Sequence, residues 1–138
     1  MSISIEGMDE VVKSLDKTFS QERLEKALMK ACLLVERRAK EITDSFRDTG
    51  ELGRSIASKV DGDEGIVYTP LEYAPYVEYG TGLFAEDGGR TDVPWCYQDD
   101  KGEWHTTSGR PPHPFMRPAL DQNRENIKRV IREGLLND

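Results

Sequence analysis

The residues of this chain best suited to chemistry are one thiol and two imidazoles, Cys96, His105 and His113, with carboxylates scattered near them. A tetrahedral zinc set could be drawn from these three with Asp92 or Asp99 as the fourth ligand, but the paired short intervals of a zinc site are missing. Glu78 and His113 could act as an acid–base pair, yet nothing in the sequence brings them within hydrogen-bond reach. Asp87-Gly88-Gly89 and Asp99-Asp100-Lys101-Gly102 lack the alternating oxygen ligands and closing Glu of a calcium loop. Gly80-Thr81-Gly82 is not followed by Lys-Ser/Thr, so it does not form a phosphate cradle. No catalytic, cofactor or metal residues are assigned, and the chain reads as a protein that is not an enzyme. A small hydrolase or nuclease using His105, His113 and an acidic partner is the alternative from the catalytic class.

Two other groupings point to surfaces. Tyr73, Tyr76 and Tyr79, with Phe84 close behind, have the types and spacing of a stacking platform for single-stranded nucleic acid. Glu72, Glu78, Glu86 and Asp87 surround them, however, and would repel phosphates. The tyrosines therefore read as closing a core edge or anchoring a subunit contact, where aromatics are enriched. Arg117, Arg124, Lys128 and Arg132 recur at seven- and four-residue spacing, a basic stripe that could face duplex DNA without reading it or simply be solvated. The net charge of −7 speaks against a protein that coats nucleic acid nonspecifically. Between Asp61 and Glu103 eleven acidic residues face two basic ones, whereas between Arg110 and Arg132 six basic residues face two acidic ones. Such a chain can pair with copies of itself head to tail, the arrangement that closes rings.

The elements that would carry these groups follow from periodicity. At 138 residues the chain is expected to be one domain with a modest core. Ile3 and Ile5 alternate with serines as a short strand, and Met8 to about Lys17 reads as a short helix. Ser20 can cap a longer helix from Gln21 to about Thr43, whose stripe is Leu24, Leu28, Ala31, Cys32, Val35, Ala39 and Ile42. Leu33 points the other way, either as an ordinary exposed leucine or, in an assembling protein, as a contact with a neighbour. Asp48-Thr49-Gly50 forms a turn, and a hairpin follows, with Ile56, Ser58 and Val60 on one strand and Ile66 and Tyr68 on the return. Pro70 and Pro75 bracket the aromatic turn, which Gly80 and Gly82 end with positive φ. Residues 83–110 read as a long, mobile insert. Within it Trp95 to Gln98 and Glu103 to Thr107 form a second hairpin, with Trp95, Tyr97 and Trp104 able to pair across strands. A last helix is expected from about Phe115 to Leu136. The fold class is α+β: a small antiparallel sheet of hairpins packed against one long helix, with a C-terminal helix. No run approaches the roughly 18 apolar residues of a membrane span. The N-terminus shows no signal peptide, and Cys32 and Cys96 read as reduced thiols.

Three separated segments share a resemblance: Thr-Gly-x-Leu-x-x-Ser-Ile at Thr49 to Ile56, Tyr-Ala-x-Tyr-Val-Glu-Tyr-Gly-Thr-Gly at Tyr73 to Gly82, and Pro-x-Pro-Phe-Met-Arg-Pro-Ala-Leu at Pro112 to Leu120. In this order, after one long helix and before another, they resemble the siphophage tail-component family. Its members, similar to gene product ten of lambdoid phages, are often called head–tail joining or tail-completion proteins. The resemblance implies a small virion protein, assembled in the host cytoplasm, acting where the DNA-filled head meets the tail. An accessory or chaperone of tail assembly, absent from the finished particle, is the alternative. It implies no cofactor and no catalysis. Its implied partners are copies of itself in a ring, neighbouring tail or connector rings, and packaged DNA passing nearby, with no membrane. Thr49 and Gly50 would set the turn out of the helical region, while Tyr73, Tyr76, Tyr79, Gly80 and Gly82 would form the aromatic turn. Pro114, Phe115, Arg117 and Pro118 would dock the last helix.

Overall fold

The strongest periodic signal in the chain produces its central element. In the computed structural model, residues 1–5, 20–46, 50–86, 88 and 92–136 are described. The helix expected over Met8 to Lys17 and the Asp48-Thr49 half of the first turn lie outside them. Helix α1 spans Gln21–Asp44, and Ser20 caps it by accepting the Arg23 N–H at 3.2 Å. Leu28, Ala31, Cys32, Val35 and Ala39 are fully buried along one face, and Leu33 lies exposed on the other. Helix formation here is thus driven by a single apolar stripe, with charged residues spaced around the rest of the cylinder.

The described residues divide into two compact units, 1–71 with 115–138, and 72–114. In the first, strands β1 (Ser2–Ile5), β2 (Ala57–Asp61) and β3 (Glu64–Tyr68) form an antiparallel sheet in the order β1-β3-β2. Register pairs Ile3 with Val67 and Ile5 with Gly65 on one side, and Ser58 with Val67 and Val60 with Gly65 on the other. Residues directly opposite share a face, so Ile3, Ile5, Ser58, Val60, Gly65 and Val67 form one side of the sheet. It is the α1 side: Ser58 Oγ donates to Glu36 Oε1 at 2.9 Å, and a Cβ added to Gly65 would lie 2.6 Å from Cys32 Sγ. Ile66 and Tyr68 lie on the opposite, half-buried face, where Lys59 Nζ sits 5.2 Å from the Tyr68 ring centroid. Gly65, not a larger residue, meets the helix because only it allows this close approach.

Between α1 and the sheet, the turn at Gly50 (φ +80°) opens a short helix, α2 (Glu51–Ser55), which periodicity could not reveal in five residues. Leu52 and Ile56 are buried, and Ser55 Oγ bridges the Leu52 carbonyl at 2.6 Å and Thr69 Oγ1 at 2.7 Å. The single last helix expected from sequence is two: α4 (Met116–Gln122) and α5 (Arg124–Leu136), following α3 of the second unit. Asn123 makes the break, its φ of −107° and ψ of 5° leaving the helical region while its Nδ2 donates to the Ala119 carbonyl at 2.9 Å. Asn competes for backbone groups in this way, which is why it interrupts helices. α5 runs antiparallel to α1. Arg38 Nε donates to Gln122 Oε1 at 2.7 Å, and Arg23 Nη1 donates to the Leu135 carbonyl at 3.4 Å at the far end. A Cβ on Gly134 would lie 2.9 Å from Ala27 Cβ, so the helices touch nearly backbone to backbone there. Phe115, Met116, Ala119, Ile131 and Leu135 complete this core at 0–1% exposure. Among the described residues, no helix is long and apolar enough to cross a membrane.

Candidate functional site

The second unit is built around the aromatic turn. Helix α3 (Ala74–Tyr79) begins with Pro75 in its first turn, where a missing N–H costs nothing. At ~100° per residue, Tyr73, Tyr76 and Tyr79 share an arc of about 120°, opposite Ala74 and Glu78. The exposures agree: Tyr73, Tyr76 and Tyr79 are 39, 62 and 39% exposed, whereas Ala74 and Glu78 are fully buried. Glu78 is therefore turned away from the tyrosine side, and its side chain is engaged. The tyrosines do not close a core; they form an outward aromatic surface.

Glycines lock the end of this helix against a later segment. Gly80 has φ +83° and accepts no side chain, because an added Cβ would lie 2.8 Å from the Phe84 carbonyl oxygen and 3.0 Å from that of Arg110. Gly82 and Gly109 face each other similarly: a Cβ on Gly82 would strike the Ser108 carbonyl oxygen, and one on Gly109 that of Thr81. The backbones are stitched by four bonds. His113 N–H donates to the Val77 carbonyl at 2.7 Å, Thr81 N–H to Arg110 at 2.9 Å and Leu83 N–H to Ser108 at 3.0 Å, while Arg110 N–H donates to Thr81 Oγ1 at 2.9 Å. A 3-10 turn at Gly82–Phe84 then folds back, Glu86 N–H reaching the Tyr79 carbonyl at 2.9 Å. It leaves Leu83 and Phe84 58 and 49% exposed beside the tyrosines. Sequence reading had no role for Leu83 or Gly109. The Ser108-Gly109-Arg110 run before two prolines was the available signal, but its partner could not be identified from spacing.

The second hairpin lies in the same unit, as β4 (Trp95–Gln98) and β5 (Trp104–Thr107). Its register pairs Trp95 with Thr107, Tyr97 with His105 and Gln98 with Trp104. The expected cross-strand pairing of Trp104 with Trp95 or Tyr97 is thereby corrected: Trp104 lies on the opposite face of the ribbon and is 69% exposed. The ring facing Tyr97 is His105, stacked at 5.3 Å between centroids. The same alternation separates Cys96, which contacts Thr106 Oγ1 at 3.6 Å, from His105. Cys96, His105 and His113 do not converge as a ligand set among the described residues. The group that does converge is Asp99, Glu103 and His105, at the hairpin tip and largely exposed. Its chemistry is that of a turn. Asp99 Oδ1 accepts the Lys101 and Glu103 N–H groups, each at 2.9 Å, and Oδ2 lies 2.7 Å from His105 Nε2. The hydrogen bond with His105, then that from Glu103 N–H, holds the Asp99 carboxyl below its ordinary value. Cys32 and Cys96 are free thiols. Burial, with Glu36 nearby, pushes the Cys32 thiol up to about 11.

In the first unit, Phe115 is the residue before α4, and Arg117 and Pro118 occupy its first turn, a position that tolerates proline. Arg117 is half-buried and engaged, and Pro114, the last residue of the second unit, is also half-buried. Asn123 interrupts the basic stripe, so Arg117 belongs to one helix and Arg124, Lys128 and Arg132 to the next. Arg124 pairs with Asp121 at 2.8 Å and Lys128 with Glu125 at 3.6 Å, whereas Arg132 has no ion pair among the described residues. Thr49 lies outside the described residues; Gly50 is the left-handed turn already described.

The family model described as "Bacteriophage HK97-gp10, putative tail-component" matches residues 5–80. That span covers α1, the Gly50 turn, the β2–β3 hairpin and the aromatic helix, and begins at the last residue of β1. No curated protein and no solved structure matches the chain. With more than half its length matched, this chain belongs to the HK97-gp10-like family of bacteriophage tail components.

Proposed function

We propose that this tail component acts at the junction between head and tail, as a structural part of the virion assembled in the host cytoplasm. It works in several copies around the tail axis, as tail completion, and carries out no catalysis. The observation that supports this reading is the aromatic surface of Tyr73, Tyr76, Tyr79, Leu83 and Phe84, presented on a backbone that four hydrogen bonds tie to residues 108–113. A surface of this kind gives binding area at low entropic cost, which suits a part that must fit a fixed neighbour. Neighbouring tail or connector rings are the partners it would meet. Packaged DNA would pass close by without being read, a proximity that the exposed Arg132 tolerates. The test is electron microscopy of lysates from the parent phage lacking this reading frame. Full heads apart from free tails are the expected result, with the protein present in purified wild-type particles. Complete, infectious particles from the deletion would overturn the junction role. Its absence from finished wild-type particles would make it an assembly accessory instead.

A further inference from the structure

On the outward side of α1, Leu33 and Leu34 line a shallow groove of about 360 Å³ together with Lys30, Glu36, Arg37 and Lys40. Leu33 is 48% exposed, on the side of the helix away from the buried stripe. Arg37 and Lys40 lie 3.9 and 3.4 Å from Glu41 and Glu36, while Lys30 has no ion pair among the described residues. The groove is thus apolar at its centre and predominantly basic at its rim. The aromatic surface of residues 73–84 has the converse character. Its centre is Tyr76, Leu83 and Phe84, and the charged residues of 72–86 are all acidic, Glu72, Glu78 and Glu86, of which Glu78 is buried. Glu72, exposed at the start of the aromatic turn, has no ion pair among the described residues.

We propose that these two surfaces dock on one another between copies: the aromatic surface of one molecule seats on the α1 groove of a second. The occupant is a second copy because one chain supplies both members of a matched pair, apolar against apolar and acid against base. A contact between two different patches is heterologous, so each docked copy presents a further free aromatic surface and a further free groove. Such a contact propagates, and it closes into a ring when the rotation between copies permits. The inference rests on the reading of the protein as a repeated tail part, and it names the residues that would make the repeat.

The test uses two full-length variants, each disabling one surface. Tyr76→Arg places a cation in the aromatic patch and leaves the groove intact, while Leu33→Glu places an acid in the groove and leaves the aromatic patch intact. Both residues are exposed, so neither change opens the core. Wild-type protein is expected to self-associate with rising concentration in sedimentation equilibrium, and either variant to do so about 30-fold more weakly, as for a lost aromatic or apolar anchor. Mixed in equal amounts, the two should give a one-to-one dimer that grows no further, since only one interface can form. That recovery also shows both variants to be folded. Three results would each overturn the proposal: wild-type protein monomeric at millimolar concentration, a mixture with no dimer, or Leu33→Glu associating like wild type. None of these depends on the particle phenotype of the deletion, so failure of the interface and failure of the junction role are read separately.

Discussion

Replacing Gly65 by alanine tests how tightly the sheet is held to α1. The added Cβ would sit 2.6 Å from Cys32 Sγ, roughly 1 Å inside a normal contact of about 3.5–4.0 Å. Cys32 is fully buried, so its sulfur cannot swing into solvent to make room. Overpacking of this kind costs about 1–3 kcal/mol. Restricting the unfolded chain at a backbone position that any residue can adopt returns about 0.4–1 kcal/mol. The expected net loss is therefore about 1–2 kcal/mol, a fall of roughly 3–8 °C in melting temperature for a chain of this size. Cys32→Ala alone should cost about 1 kcal/mol through the small void it leaves. Together, however, the substitutions should not add. With the sulfur gone, the nearest neighbours of the new methyl are Leu28 Cβ and the Leu28 carbonyl oxygen at 3.6 Å, ordinary contacts, and the methyl fills part of the void. The double variant should thus be about as stable as Cys32→Ala. Urea denaturation followed by the helical circular dichroism signal measures all four proteins in one cycle. A Gly65→Ala protein as stable as wild type, or free energies additive within ~0.5 kcal/mol, would refute the argument.

Two further outcomes follow from the titratable groups. A thiol reagent at neutral pH should label Cys96 readily and Cys32 only on unfolding, because the former is exposed and the latter buried with its thiol raised to about 11. The raised value means that the contribution of this neutral thiol is intact below the unperturbed value of 9.0 and is lost as pH rises through about 11, so equal labelling of both cysteines at pH 7 would contradict the packing. At the hairpin tip the sign is opposite. The lowered Asp99 carboxyl supports the turn above the ordinary carboxylate pKa of ~3.9, and that support is lost as pH falls through the lower folded value. Corrected for intrinsic rates, amide exchange at Lys101 and Glu103 should therefore quicken on acidification in wild type and be already fast in Asp99→Ala; indifference of both amides to that substitution would remove Asp99 from the turn.

What could be read from sequence was whatever a short window contains. The stripe of Leu28, Ala31, Cys32, Val35 and Ala39 determined α1, Ser20 its start, Asp61-Gly62-Asp63 the first hairpin and Asp99 to Gly102 the second. Gly80 and Gly82 announced positive φ before any neighbour was known. Tertiary structure decided the questions of which face and which partner. Ile66 and Tyr68 alternate as well as Gly65 and Val67 do, and only the closeness of Cys32 selects the strand face that meets the helix. The continuous apolar pattern from Met116 to Leu136 hides the break at Asn123, because a local side-chain bond to the Ala119 carbonyl competes with the helix without changing the stripe. The outward turn of the tyrosines was likewise beyond a helical wheel. Periodicity says that Tyr73, Tyr76 and Tyr79 share a side, but burial of that side or the other depends on residues far away in the chain, and here the buried side belongs to Ala74 and Glu78.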